Sequence, residues 1–168
     1  LIGAFISLDF VVGCPFNCSF CISKRHPSRQ ELFENRILLS NDIEPEQMYS
    51  WLKSMPSYQA GVQIRIGHDT DAGFEFDKSS RLIELIDKDH SITYLTRKPL
   101  NPKEISFLSE YRDNLLLKLT ATPRSEALEV RKNPLDLVHS AEQLDNRMLY
   151  WVIGPLVADN QAETKTIL

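Results

Sequence analysis

The stretch "SITYLTRKPLNPKEISFLSEY", residues 91–111, contains the pattern that decides the fold. Its first six residues are mostly β-branched, aromatic or apolar, as in a buried β-strand. Asn101 and Pro102 then mark the start of a helix, because an asparagine side chain accepts hydrogen bonds from the first turn and a proline there needs no backbone donor. The stretch therefore predicts a strand, a polar loop and a helix, in that order.

The same order of elements repeats along the chain. Strands are predicted in "FISLDFVVG", "GVQIRIG", "SITYLT", "NLLLKLTA" and "RMLYWVIGPLV". Helices are predicted in "EPEQMYSWLKSM", "DKSSRLIELIDKD", "NPKEISFLSEY", "NPLDLVHSAEQL" and "NQAETKTIL". Strands and helices that alternate in this way form βα units, which close into a barrel or stack into an open parallel sheet. We therefore expect an α/β protein with five βα units and one parallel sheet.

Length and composition exclude several classes of protein. A chain of 168 residues has the size of one domain, and 42% hydrophobic with 25% charged residues is typical of a globular protein rather than a disordered one. The sequence has neither an apolar run of about 18 residues nor a signal-peptide pattern, so we expect no membrane span and a cytoplasmic location. The net charge of −4 provides no general attraction to nucleic acid.

All three cysteines of the chain, Cys14, Cys18 and Cys21, lie within "CPFNCSFC". In a reducing compartment, a crowded and odd set of thiols is more typical of a metal site or a catalytic site than of disulfides. Thiolates favour zinc, copper(I) and iron–sulfur clusters. Two readings follow: a closed zinc site with His26 as fourth ligand, or a cubane cluster in which three thiolates leave one iron open.

Polar loops follow each of the predicted strands. They are the cysteine loop, "HDTD" at 68–71, "TRK" at 96–98, "TATPR" at 120–124 and "GPLVAD" at 154–159. Because the carboxyl ends of parallel strands form the ligand-binding edge of such folds, we expect these loops to converge. A structural zinc site has no use for such a ring of polar groups, so the pattern favours an enzyme with an open cluster.

The motif "CPFNCSFC" resembles the Cys-x3-Cys-x2-Cys signature of the radical S-adenosylmethionine (SAM) superfamily, with Phe20 before the last cysteine and a strand just before the motif. The resemblance implies a partial TIM-type (β/α)6 barrel across residues 1–168, lacking its sixth strand and therefore a piece of a longer protein. It also implies a [4Fe-4S] cluster on the three cysteines, SAM on the open iron, and reductive cleavage to a 5′-deoxyadenosyl radical that abstracts a substrate hydrogen. The electron donor would be a flavodoxin or a ferredoxin.

The resemblance further implies which residues contact SAM. The backbone of Phe20 would contact the adenine, Gly67 would keep the role of the first glycine in the family's Gly-Gly-Glu-Pro motif, and the acidic role would pass to Asp69 or Asp71. Candidates for the SAM carboxylate and ribose are Lys118, Thr120 and Arg124, and Gly154 stands for the glycine-rich turn after the fifth strand.

Within the superfamily, "IGHDTDAG", "ITYLTRKP", "LLLKLTATPRSEALE" and "GPLVADNQAE" are similar to the spore photoproduct lyase group. This similarity implies a lyase-like reaction, with a photoproduct in DNA as one candidate substrate. The basic segment "SKRHPSR", residues 23–29, is either a solvated loop or a contact for a phosphate-bearing or nucleic-acid substrate. His90 and His139 are expected to be packing or surface residues.

Overall fold

The computed structural model describes residues 5–16, 21, 23–59, 61–121 and 149–153. The strands are β1 (Phe5–Leu8), β2 (Val11–Gly13), β3 (Leu38–Ser40), β4 (Gln63–Ile66), β5 (Ser91–Thr96), β6 (Leu115–Ala121) and β7 (Leu149–Ile153). The helices are α1 (Gln30–Glu34), α2 (Pro45–Ser54), α3 (Phe76–Leu85) and α4 (Pro102–Glu110), with short 3-10 helices at Ser23–Arg25 and Ala72–Glu75. The predicted helices in 133–144 and 160–168 lie outside the described residues.

Five strands form one parallel sheet in the order β1-β4-β5-β6-β7. One register row crosses the whole sheet through Leu8, Ile66, Tyr94, Leu117 and Leu149. The strands therefore stand side by side in the order in which the chain forms them, as successive βα units require. This confirms the predicted α/β class and the parallel sheet.

Helices α2, α3 and α4 cover one face of this sheet. Leu52, Leu82 and Leu108, one from each helix, are fully buried in the core cluster that also holds Ile64 and Ile92 of the sheet. Each helix therefore presents an apolar stripe to the strands, as an amphipathic helix must if its burial is to offset the entropy of folding.

The start of α4 is as predicted. The Asn101 side chain accepts hydrogen bonds from the backbone N–H groups of Lys103 and Glu104, and the Glu104 carboxylate accepts one from the backbone N–H of Asn101. This reciprocal pair is a capping box, and Pro102 occupies the first turn, where no backbone donor is needed.

The first predicted strand, "FISLDFVVG", is wrong as one continuous strand. Its first half is β1 of the parallel sheet, whereas its second half, β2, pairs antiparallel with β3 in a separate two-stranded sheet. The break falls at Asp9, whose side chain accepts hydrogen bonds from Thr70 and whose carbonyl oxygen accepts one from the Asn41 side chain. These contacts turn the chain out of the parallel sheet.

The rows between the buried rows point away from α2, α3 and α4, because side chains alternate along a strand. One such row contains Ser7, Arg65, Thr93 and Leu116. We call this side, which α2, α3 and α4 do not cover, the second face of the sheet. In the part of the chain that the structure describes, no helix is long and apolar enough to cross a membrane.

Candidate metal centre

The cysteine loop begins directly after β2. Cys14 is buried, Cys21 is half-buried, and both are free thiols. They pack with Phe16, Phe33 and Phe74 in a small apolar cluster that is separate from the main core. Cys18 and Phe20, both named by the sequence analysis, lie outside the described residues.

The cluster lies beside the loops that follow β4 and β5. Phe74, in the 3-10 helix after β4, has its ring centroid 5.4 Å from that of Phe16. The Arg97 guanidinium, directly after β5, lies 5.3 Å from the Phe16 ring centroid. The two described thiols are therefore at the carboxyl edge of the parallel sheet, where α/β proteins bind their ligands.

Gly13 is required where β2 leads into this loop. Its φ is +88°, a left-handed conformation that residues with a Cβ rarely adopt. A Cβ atom at this position would overlap the carbonyl oxygen of Ile37 and lie 3.3 Å from Cβ of Leu32. The cysteine loop can thus start close to the backbone at Ile37, just before β3, only because residue 13 has no side chain.

The surroundings of Cys14 disfavour a free thiolate. Burial raises the pKa of its thiol to about 12; the Phe16 backbone N–H and Arg97 act in the opposite direction, and the charges of Asp71 and Cys21 add to the rise. A metal or cluster must displace the thiol proton on binding, and the surrounding apolar side chains exclude water. Two soft ligands in one apolar pocket fit a thiolate-ligated metal or iron–sulfur cluster.

Asp71 is buried at the same edge and ties two loops together. Its carboxylate accepts hydrogen bonds from the Gly73 backbone N–H (2.9 Å), the Thr96 hydroxyl (2.7 Å) and the Arg97 backbone N–H (2.6 Å). The sequence analysis named Asp71 as a SAM contact, and the structure shows it to be held by backbone and hydroxyl donors of the fold.

Asp69, the other acidic candidate, is half-exposed and pairs with Arg29, whose Nη1 lies 2.6 Å from its Oδ2. This ion pair brings the basic segment 23–29 against the loop after β4, and it neutralises the charge of Arg29 locally. Arg25 and His26 of the same segment are exposed. His26 shares a hydrogen bond with the Ser28 hydroxyl and forms no metal-ligand group with Cys14 and Cys21.

Gly67 ends β4 with a φ of +83°. A Cβ there would lie 2.6 Å from the carbonyl oxygen of Leu95 and 2.7 Å from the backbone nitrogen of Ala72, so the turn needs glycine at this position. Thr120 lies in β6, at the carboxyl end of the strand. Arg124 and Gly154, the remaining candidates, are outside the described ranges.

Asp9 is a residue of this edge that the sequence analysis missed. Its Oδ1 accepts hydrogen bonds from the Thr70 backbone N–H and hydroxyl, and its Oδ2 accepts from the Asp69 backbone N–H and the Ser7 hydroxyl. Desolvation raises its pKa, against the opposing effect of the Thr70 hydrogen bond. The available signal was a carboxylate inside an otherwise apolar strand pattern.

A second group with metal-ligand chemistry lies before β5, at the opposite end of that strand. One ligand atom from each of Asp87, Asp89 and His90 lies within 4.8 Å of the others. The Asp87 carboxylate accepts hydrogen bonds from the hydroxyls of Tyr49 and Tyr58. The His90 ring is buried and stacks on Tyr58 with centroids 4.2 Å apart, so its expected packing role is confirmed.

Comparison of the chain with protein-family models, with curated proteins and with solved structures gave no match.

Proposed function

We propose that this chain is the core of a radical SAM enzyme, with a partial (β/α)6 barrel and a [4Fe-4S] cluster on Cys14, Cys18 and Cys21. The observation that carries the proposal is the Cys-x3-Cys-x2-Cys spacing in a loop whose two described thiols lie at the carboxyl edge of a parallel sheet. When bound, the cluster would supply the electron that cleaves SAM into methionine and a 5′-deoxyadenosyl radical.

The chain's own residues would bind and orient SAM, and they would exclude water from the site. Phe16, Phe33 and Phe74 surround the thiols with apolar side chains, which keeps solvent from the position where electron transfer would occur. The carboxylate of Asp69 is half-exposed at the same edge and is available to the SAM amino group. We assign the remaining SAM contacts to Phe20, Gly67, Thr120, Arg124 and Gly154, by resemblance alone.

The cellular setting follows from this chemistry. We propose a cytoplasmic enzyme that receives its electron from a flavodoxin or a ferredoxin, because SAM cleavage consumes one electron for each radical formed. Hydrogen abstraction from a substrate, with a lyase-like outcome, completes the proposed reaction.

The experiment that tests the proposal is anaerobic purification followed by metal analysis. We expect brown protein with about four irons per chain, and loss of that iron when any one of the three cysteines is replaced by alanine. His26→Ala should leave the iron content unchanged. A colourless protein that holds one zinc, and loses it in His26→Ala, would establish the structural zinc site instead.

The reaction itself is tested with dithionite and SAM under anaerobic conditions. We expect slow release of 5′-deoxyadenosine and methionine without any substrate, and faster release with a thymine-dimer photoproduct in DNA if the lyase-like assignment holds. Protein that binds both the cluster and SAM but never forms 5′-deoxyadenosine would refute hydrogen abstraction by this enzyme.

A further inference from the structure

The second face of the parallel sheet presents an arginine whose orientation is fixed but whose terminal nitrogens bind no other residue that the structure describes. The Arg65 guanidinium carbon lies 3.6 Å from the centroid of the Phe5 ring, and Nε donates a 2.8 Å hydrogen bond to Oε1 of Gln63. No described residue accepts a hydrogen bond from its Nη1 or Nη2. The two outer nitrogens of a held guanidinium are the groups that bind carboxylate or phosphate oxygens in pairs.

A second observation on the same face is independent of Arg65. Thr93 is only 1% exposed, yet its hydroxyl has no hydrogen-bond partner among the described residues. A buried hydroxyl without a partner costs about 1–3 kcal/mol, so such groups are rare unless a ligand or water satisfies them. Thr93 is the direct register partner of Arg65 on the next strand, and neighbouring strands lie about 4.8 Å apart.

The charge of this row suits an anion. The described part of the row contains no carboxylate: Ser7 and Leu116 complete it beside Arg65 and Thr93, and Lys118 follows two residues after Leu116 on β6. A cavity of about 270 Å³ that Thr93 and Leu116 help to line lies toward the amino ends of the strands, where its wall also includes Arg112 and Asp113. The Asp9 carboxylate, directly after β1, accepts hydrogen bonds from Ser7 and Thr70.

The face also connects to the edge that carries the cysteine loop. The Phe5 ring contacts both Arg65 and His68, with its centroid 5.0 Å from that of the His68 ring. His68 belongs to the loop that follows β4, the loop that contains Asp69 and Asp71. An anion held by Arg65 would therefore lie on the second face of the sheet, near the loop that also borders the metal centre.

We propose that Arg65 and Thr93 form an oxyanion site that holds a carboxylate or phosphate group of a small substrate. That the anion belongs to a substrate rests on the proposed radical SAM function, whereas the existence of the oxyanion site does not. Arg65 would provide two parallel N–H donors, and the Thr93 hydroxyl would donate to a third lone pair.

The first test uses inorganic phosphate and acetate as probes on the full chain, with chloride at matched ionic strength as the reference. We expect one of the two oxyanions to raise Tm by a few degrees at a concentration about tenfold above its Kd. Arg65→Gln should abolish this rise, while Arg36→Gln, which removes an exposed arginine, should keep it. A rise that survives Arg65→Gln and disappears in Arg25→Gln would place the anion on the basic segment and overturn the proposal.

Thr93→Val separates a binding role from a structural one. The substitution keeps the shape of the side chain and removes only the unpartnered hydroxyl, so the variant should be as stable as the parent or more stable. We expect it nevertheless to weaken oxyanion binding about tenfold. Unchanged binding in both Thr93→Val and Arg65→Gln would overturn the site.

The Kd for SAM shows whether the bound anion belongs to a substrate or is the carboxylate of SAM. If the site serves the substrate, Arg65→Gln leaves the Kd for SAM unchanged in the reconstituted protein. A matching loss of SAM and oxyanion binding would show that the site holds the SAM carboxylate, and the substrate assignment would fall. Arg65-dependent oxyanion binding in protein that never acquires iron would refute the proposed function and leave the oxyanion site intact.

Discussion

The Thr96 hydroxyl donates a 2.7 Å hydrogen bond to Oδ1 of Asp71, and this bond joins the loop after β4 to the end of β5. The other carboxylate oxygen accepts a 2.6 Å hydrogen bond from the backbone N–H of Arg97. Because Asp71 is buried, with 3% of its surface exposed, these bonds are sheltered from competition with water. The two loops therefore form one support for the cysteine loop.

Replacement of Asp71 by alanine should destabilise the fold strongly. Three donors, on Gly73, Thr96 and Arg97, would lose their acceptor in a buried position, so we expect a loss of about 3 kcal/mol in the free energy of unfolding. Urea denaturation measures this loss. Asp42→Ala removes an exposed carboxylate and should change the stability by less than about 0.5 kcal/mol. Equal losses in the two variants would contradict the role assigned to Asp71.

Gly13→Ala and Gly61→Ala form a matched pair. Both glycines have a left-handed φ, +88° and +82°, so alanine brings a similar backbone strain to each site. At Gly61 a Cβ meets nothing within 4 Å, whereas at Gly13 it overlaps the Ile37 carbonyl. We expect Gly13→Ala to cost at least about 1 kcal/mol more in urea denaturation than Gly61→Ala.

Iron content provides the second readout of this pair. Displacement of β2 from Ile37 would move Cys14, which directly follows Gly13, so Gly13→Ala should bind less iron than Gly61→Ala after anaerobic reconstitution. Identical stability and identical iron content would show that the close approach of Gly13 to Ile37 has no effect on the cysteine loop.

The burial of Asp9 predicts that the stability of the fold depends on pH. Its pKa is raised in the folded protein because burial disfavours the carboxylate, so the folded state holds its proton more tightly than the unfolded state does. This contribution to stability is present below the unfolded pKa and is lost as the pH rises through the folded pKa. The parent protein should therefore gain stability relative to Asp9→Asn as the pH falls from 7 to 4. Urea midpoints across this range measure the change, and a constant difference would contradict it.

The parallel sheet could be predicted because its signals are local. "SITYLT" is strand β5 to the residue, and Asn101 and Pro102 mark the start of α4 through contacts within four residues. The break at Asp9 could not be predicted in the same way. It depends on hydrogen bonds with Asn41 and Thr70, which are 32 and 61 positions away and which no local periodicity reveals.

The candidate site was predictable at the level of loops rather than of individual contacts. The alternation of strands and helices brings "HDTD" to the carboxyl edge, as expected for parallel strands. The cysteine loop reaches the same edge from β2, which lies in the separate two-stranded sheet. Which carboxylate remains available to a ligand depends on tertiary partners: Asp71 is engaged by three donors, whereas Asp69 pairs with one half-exposed arginine. The sequence analysis did not identify Arg65, because its proposed role in an oxyanion site depends on which face of the sheet the helices cover.

The predicted contact of Asp69 with SAM can be tested by replacing Asp69 and, separately, its ion-pair partner Arg29. If its carboxylate binds the SAM amino group, Asp69→Ala should raise the Kd for SAM about tenfold or more without loss of iron, because a hydrogen bond between charged groups contributes about 1.5–3 kcal/mol. Arg29→Gln removes the competing cation at 2.6 Å, so it should leave the Kd for SAM unchanged or lower it. Equilibrium dialysis of anaerobically reconstituted protein, with iron assayed on the same samples, measures both effects. If the ion pair only orders the loop, both variants should weaken SAM binding alike, and that result would remove Asp69 from the SAM contacts.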